Sequence, residues 1–172
     1  EYHIAYAQDG VTEQAQGMFQ DIFGDETRAF FVATGTAANV LAIASLTDPW
    51  QRVICHERSH LAIAESSAPE RTTGCRLSTI STESSKLSHL DLKSIEDRVG
   101  NVQGVQPGVV TITNPTEFGE VYTPQQTEDI CKTANEMGYR VHVDGARFAC
   151  AVAHLGCDPR QLTIDAGVNA LT

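Results

Sequence analysis

The sequence predicts an α/β fold of three layers, a mostly parallel sheet with helices on both faces. Three observations predict it. Segments that read as strands alternate with segments of helical period along all 172 residues, the pattern of a parallel sheet built from strand–helix–strand crossovers. Polar clusters follow directly on three of the strand-like runs, and in such sheets ligands sit beyond the carboxyl ends of the strands. The length suits one domain, able to bury roughly 70% of its unfolded surface.

From the amino end, Val11, Ala15, Met18, Phe19, Ile22 and Phe23 mark one helical face, closed by Gly24. "RAFFVA" (residues 28–33) reads as a buried strand. Thr36 to Leu46 reads as a helix stopped by Asp48-Pro49. "RVIC" is a short strand running up to His56, "SHLAIAES" opens a helix, and "CRLSTI" is strand-like. Leu90 to Val99 forms a modest helix and "GVVTITN" a strand. "PQQTEDICKTANEMG" is a helix with Pro124 at its first position and Gly138 at its end. "YRVHV" is a strand, "ARFACAVAHLG" a helix and "IDAGVNAL" a final strand; the polar stretch from Ser81 to Ser88 is expected to be a long exposed loop.

Composition narrows the function. The hydrophobic fraction of 41% and charged fraction of 20% are those of an ordinary globule. A net charge of −10 without clustered Lys and Arg argues against a nucleic-acid partner. The most apolar run, "AFFVATGTAANVLAIASL", is interrupted by Gly35, two threonines and Asn39, so no membrane span is expected. Cys55, Cys75, Cys131, Cys150 and Cys157 are odd in number and lack CxxC spacing, and they read as reduced, mostly buried thiols of a cytoplasmic protein. The chain starts without Met and stops within the apolar run "VNALT", with no leader visible, and reads as a piece of something larger.

Three clusters carry chemistry. "ATGTAAN" joins a strand to a helix through Gly35 between Thr34 and Thr36, offering backbone N–H groups and hydroxyls to a phosphate; the same residues also make a plain N-cap. "HERSH" (residues 56–60) matches the zinc-protease pattern, which needs both histidines on one helical face. Here a strand runs up to His56 and the helix begins near Ser59, so no metal site is expected; His60, first in a helix at the ligand edge, is either a polar loop histidine or one that faces a site. Asp144 and Arg147 close the strand "YRVHV". They form either a strand-end ion pair or cap, or a pair of ligand contacts, with the planar Arg fork suited to a carboxylate.

Together, "VHVDGARF", "ATGTAAN", "SHLAIAESSAPE" and "NPTEFGEVYTP" resemble the low-specificity threonine aldolases of the β-eliminating lyase group, which are fold-type I pyridoxal-phosphate enzymes. The resemblance covers nearly the whole chain. It implies a lyase that cleaves a β-hydroxy-α-amino acid of the L-threonine type to glycine and an aldehyde, as a homodimer or homotetramer. It further implies that residues 1–172 form the cofactor-binding large domain, incomplete at both ends, with the C-terminal small domain absent. By position, Gly35 and Thr36 would hold the cofactor phosphate with Thr34 nearby. His60 would stack on the pyridine ring and act as base toward the β-hydroxyl. Asp144 would pair with the ring nitrogen, and Arg147 would take the substrate carboxylate or serve the phosphate region. Glu65 stands as a polar neighbour of the ring or a surface glutamate. The family's Schiff-base lysine has no counterpart here and is expected within about ten residues beyond Thr172, in the loop after the last strand. Aromatic amino-acid lyase and serine hydroxymethyltransferase chemistry share the expected fold. A zinc hydrolase and a non-catalytic fragment are the rivals of another class.

Overall fold

A computed structural model describes residues 8–95 and 99–172. The chain divides into two compact units, residues 1–32 and 33–172.

In the first unit, Asp9 caps helix α1 (Gly10–Phe23) by accepting from the backbone N–H groups of Val11 and Thr12. "RAFFVA" does not form the expected strand. Gln16 donates to the carbonyl of Thr27 and accepts from the N–H of Ala29, so its side chain engages backbone groups that a ladder would need. Phe30 and Phe31 are 84% and 62% exposed.

The second unit is built on five parallel strands in the order β2-β1-β3-β4-β5. In chain order these are β1 (Gln51–His56), β2 (Arg76–Ile80), β3 (Gln106–Thr113), β4 (Arg140–Asp144) and β5 (Ala170–Leu171). The helices are α2 (Gly35–Leu46), α3 (His60–Ile63), α4 (Ala68–Thr73), α5 (His89–Lys93), α6 (Pro124–Glu136) and α7 (Phe148–Leu155). Alternate strand residues feed two cores, because successive side chains point to opposite faces. Ile54, Val110, Ile112, Val141 and Val143 pack with Leu92 of α5 and Ile130 and Ala134 of α6. Val53, Cys55 and Val109 pack with Ile43 of α2 and Leu61 of α3. The three-layer arrangement is the one the alternation implied.

Local departures have local causes. The helix expected from "SHLAIAES" is split: α3 ends at Ile63, Ser66 and Ser67 take positive φ, and α4 starts with Pro69 in its first turn. The helix from Leu90 shortens to α5, and residues 96–98 of that expectation lie outside the described residues. "IDAGVNAL" gives a 3₁₀ turn at Ile164–Ala166, closed by Gly167 at φ 95°, before the two residues of β5. Ser81 to Ser88 is a loop, but an anchored one. Glu120 accepts from Ser84 and Ser85, which hold its pKa down to about 2, and the buried N–H of Leu87 donates to the Tyr122 hydroxyl at 2.7 Å. Cys55, Cys75 and Cys131 are buried free thiols, as expected; Cys150 is exposed and Cys157 half-buried. Among the described residues no helix is long and apolar enough to cross a membrane.

Candidate active site

Strand parity aims the key carboxylate. Val141 and Val143 enter the α5–α6 core, so His142 and Asp144 turn to the α2 face. Asp144 is 4% exposed. Its hydrogen-bond donors among the described residues are neutral: Asn39 Nδ2 at 3.1 Å and the N–H of Ala146 at 3.2 Å. The same Asn39 nitrogen donates at 2.7 Å to Glu65 Oε1, which also lies 2.9 Å from His60 Nδ1. Glu65 is 3% exposed, and its Oε2 is buried without a partner among the described residues. Thus Glu65 is a member of the cluster and not a surface residue.

Asn39 is oriented from behind. The Thr172 hydroxyl donates at 2.6 Å to Asn39 Oδ1, and His142 Nε2 lies 3.1 Å from that hydroxyl. Because its hydrogen goes to Asn39, the hydroxyl accepts from His142 Nε2–H, leaving Nδ1, 3.4 Å from Thr111 Oγ1, as an acceptor. Burial pushes the His142 pKa down to about 4, so the ring is neutral, as this pattern requires. The chain His142–Thr172–Asn39 therefore delivers N–H donors to both buried carboxylates.

Gly145 lets this assembly close. A Cβ there would stand 2.6 Å from Leu171 Cδ1 and 2.9 Å from the Thr172 carbonyl oxygen. The Gly145 N–H instead donates to that oxygen at 2.7 Å, tying the end of β4 to Thr172.

Thr34 is the N-cap of α2, its hydroxyl accepting from the Ala37 N–H at 3.1 Å. Capping leaves the N–H groups of Gly35 and Thr36 at the mouth of the helix. Gly35 has no positive φ, and a Cβ on it would meet nothing within 4 Å. Neither backbone conformation nor packing within the chain explains glycine at this position. Asn39 follows Gly35 by four residues, about 6 Å along the helix axis, so the open helix mouth and the carboxylate cluster lie on one stretch of α2.

Arg147 turns elsewhere. Its guanidinium grips Glu117 through contacts of 2.6 and 3.3 Å and reaches the Pro115 carbonyl at 3.4 Å. The Glu117 hydrogen bond raises the Arg147 pKa further above its ordinary value. A cleft lined by Pro115, Glu117, Val121, Arg147, Cys150 and His154 opens beside the pair.

His56 and His60 do not converge. Parity sends His56 off the Val53–Cys55 face, where its ring meets Thr82 at 3.2 Å and accepts from the Arg58 N–H at 3.0 Å. The group that does gather is His60, Glu65 and Asp144, with ligand atoms within 4.8 Å of one another. That spacing would admit a cation. The Asn39 amide donates into both carboxylates of this group.

The structure brings Asp144 and His60 into one cluster through Asn39 and Glu65 and sets Arg147 apart on Glu117; Asn39, Thr172, His142 and Glu117 carry no signal of their own in the sequence. Nothing in the sequence singles out Asn39; its place one turn past the helix start gains meaning only from Thr172 behind it and the two carboxylates in front.

The beta-eliminating lyase family model matches residues 3–169. The chain belongs to the beta-eliminating lyase family. Low specificity L-threonine aldolase from a Pseudomonas species is 39% identical over 168 residues, covering 97% of this chain and 49% of the relative. The Escherichia coli enzyme of the same name is 23% identical, covering 92% of this chain and 47% of the relative. The chain thus spans about half the length of the curated relatives it matches. Among solved structures, Leishmania major threonine aldolase superposes with a TM-score of 0.82 at 32% identity, over 88% of this chain and 44% of that one. Sphingomonas wittichii serine palmitoyltransferase, at 15% identity and a TM-score of 0.59 over 91% of this chain and 36% of that one, shares the fold.

Proposed function

We propose that the whole protein is a pyridoxal-phosphate-dependent aldolase, cleaving a β-hydroxy-α-amino acid of the L-threonine type to glycine and an aldehyde. The observation that carries this reading is the buried Asp144 carboxylate, held by neutral donors at the carboxyl end of β4 beside the open mouth of α2. Likeness to the threonine aldolases supports the substrate class.

The residues fit the cofactor. Gly35 and Thr36 would hold its phosphate at the α2 N-terminus, with Thr34 shaping the cap. The absence of an internal reason for glycine at residue 35 supports this. Asp144 would hold a proton on the ring nitrogen, a charge-assisted contact of about 1.5–3 kcal/mol. When bound, pyridoxal phosphate supplies an electron sink for the bond broken at the substrate's α-carbon. His60, with its side chain 38% exposed, would lie against the ring and would take the β-hydroxyl proton. Arg147 binds the amino-acid carboxylate in place of Glu117 and so orients the Cα–Cβ bond. Free thiols support a cytoplasmic setting. Apolar residues left open, among them Leu41 and Ile63 at 54% and 65% exposed, support assembly as a homodimer or homotetramer.

The test is an assay of the full-length protein supplied with pyridoxal phosphate and L-threonine. Stoichiometric glycine and acetaldehyde are expected. Release of ammonia from an aromatic amino acid without aldehyde from threonine would assign the protein to the aromatic lyases. Serine cleavage that requires tetrahydrofolate would assign it to the hydroxymethyltransferases.

A further inference from the structure

We infer that Glu65 is a positioning residue that holds His60 as its Nδ1–H tautomer, leaving Nε2 unprotonated and turned to the substrate side. The inference rests on the reading of His60 as the proton acceptor, and it starts from a proton count. Glu65 Oε1 has two neighbours, Asn39 Nδ2 at 2.7 Å and His60 Nδ1 at 2.9 Å. The first is a donor, because the Thr172 hydroxyl occupies the oxygen end of the Asn39 amide and the nitrogen end also serves Asp144. The second is therefore the one place where a proton could sit on either side. An ionised carboxylate has only acceptor oxygens, whereas a neutral imidazole has one N–H to give. The shared hydrogen belongs to His60 Nδ1, and Glu65 accepts it.

Glu65 is also built into place. It is 3% exposed, follows His60 by five residues, and sits between the end of α3 and the strained Ser66–Ser67 pair at φ 49° and 60°. A buried carboxylate whose second oxygen has no donor among the described residues costs stability, which points to a role that retains it. The return is specific. A neutral imidazole has one donor and one acceptor, so fixing Nδ1–H makes Nε2 the acceptor. Once Nε2 takes the β-hydroxyl proton, the ring is a cation against a carboxylate at hydrogen-bond distance, so the proton is held without a reacting group having to move.

The test is nuclear magnetic resonance of the full-length protein with labelled histidine, where ¹⁵N and ¹³Cδ2 shifts distinguish the tautomers and a His60→Asn variant assigns the signal. The expected result is His60 in the Nδ1–H form, against the Nε2–H form that histidine favours in water. Glu65→Met, which offers no acceptor, is expected to release the ring to the Nε2–H form and lower kcat roughly tenfold or more. Glu65→Gln keeps an acceptor oxygen and is expected to restore the Nδ1–H signal in part. A wild-type His60 in the Nε2–H form, or a tautomer unchanged in Glu65→Met, overturns the inference. If the tautomer is as stated but His60→Asn cleaves threonine at the wild-type rate, Glu65 positions the ring and the reading of His60 as base fails instead.

Discussion

Arg147 meets Glu117 through two nitrogen–oxygen contacts, the geometry by which it would grip a substrate carboxylate. Arg147→Lys replaces a fork with a point charge, so KM for the amino acid should rise by about tenfold or more while the dissociation constant for pyridoxal phosphate stays nearly constant. Titrating the two ligands separately checks this, and equal weakening would give Arg147 to the phosphate. Glu117→Gln removes the competing anion, so KM for the amino acid should fall. Asp144 and Arg147 were legible because charged residues at the mouth of an apolar strand demand a partner. Asn39 was not: one asparagine early in a helix looks like any polar residue until the fold sets Thr172 behind it and two carboxylates in front.

Elements were legible where an apolar run met a partner its periodicity already implied. β1, β3 and β4 bury nearly every side chain, and their sequences say so. "RAFFVA" is as apolar as they are, but its neighbouring backbone groups bond to Gln16, and no run of hydrophobic residues announces that competition. The loop 81–88 shows the reverse. It looked free because it is polar, yet its serines serve Glu120 and its backbone serves Tyr122. Tyr122→Phe should lower unfolding free energy by about 1–3 kcal/mol, since it leaves the buried Leu87 N–H unpaired. Urea denaturation measures this, and an unchanged midpoint would mean that the loop re-pairs. Gly145→Ala should also destabilise, because its Cβ must push β5 and Thr172 off Asn39.

Over the whole molecule, the helix–strand alternation made the parallel sheet legible, while the network that joins residue 39 to residue 172 was hidden because its ends lie 133 residues apart. That network has a pH signature. His142 is fully buried, and burial lowers its folded-state pKa to about 4 from an ordinary 6.5. Between those values the unfolded chain binds the proton and the folded one does not, so stability is complete above about pH 6.5 and falls as pH drops toward 4, by up to about 3 kcal/mol. Glu120, also lowered in the folded state, adds a loss only below the ordinary glutamate range. His142→Gln should flatten the urea midpoint between pH 6.5 and 4; an unchanged slope would remove His142 from the account. The claim on which everything else depends is that Asp144 holds the proton on a bound pyridine ring. Its most direct measurement is aldehyde release from L-threonine by full-length Asp144→Asn saturated with pyridoxal phosphate, with the circular dichroism of the fold recorded alongside. An amide cannot supply the charge, so turnover should fall on the order of 100-fold or more with the fold intact. Near-normal turnover would contradict the account and leave Asp144 a structural partner of Asn39 and Ala146.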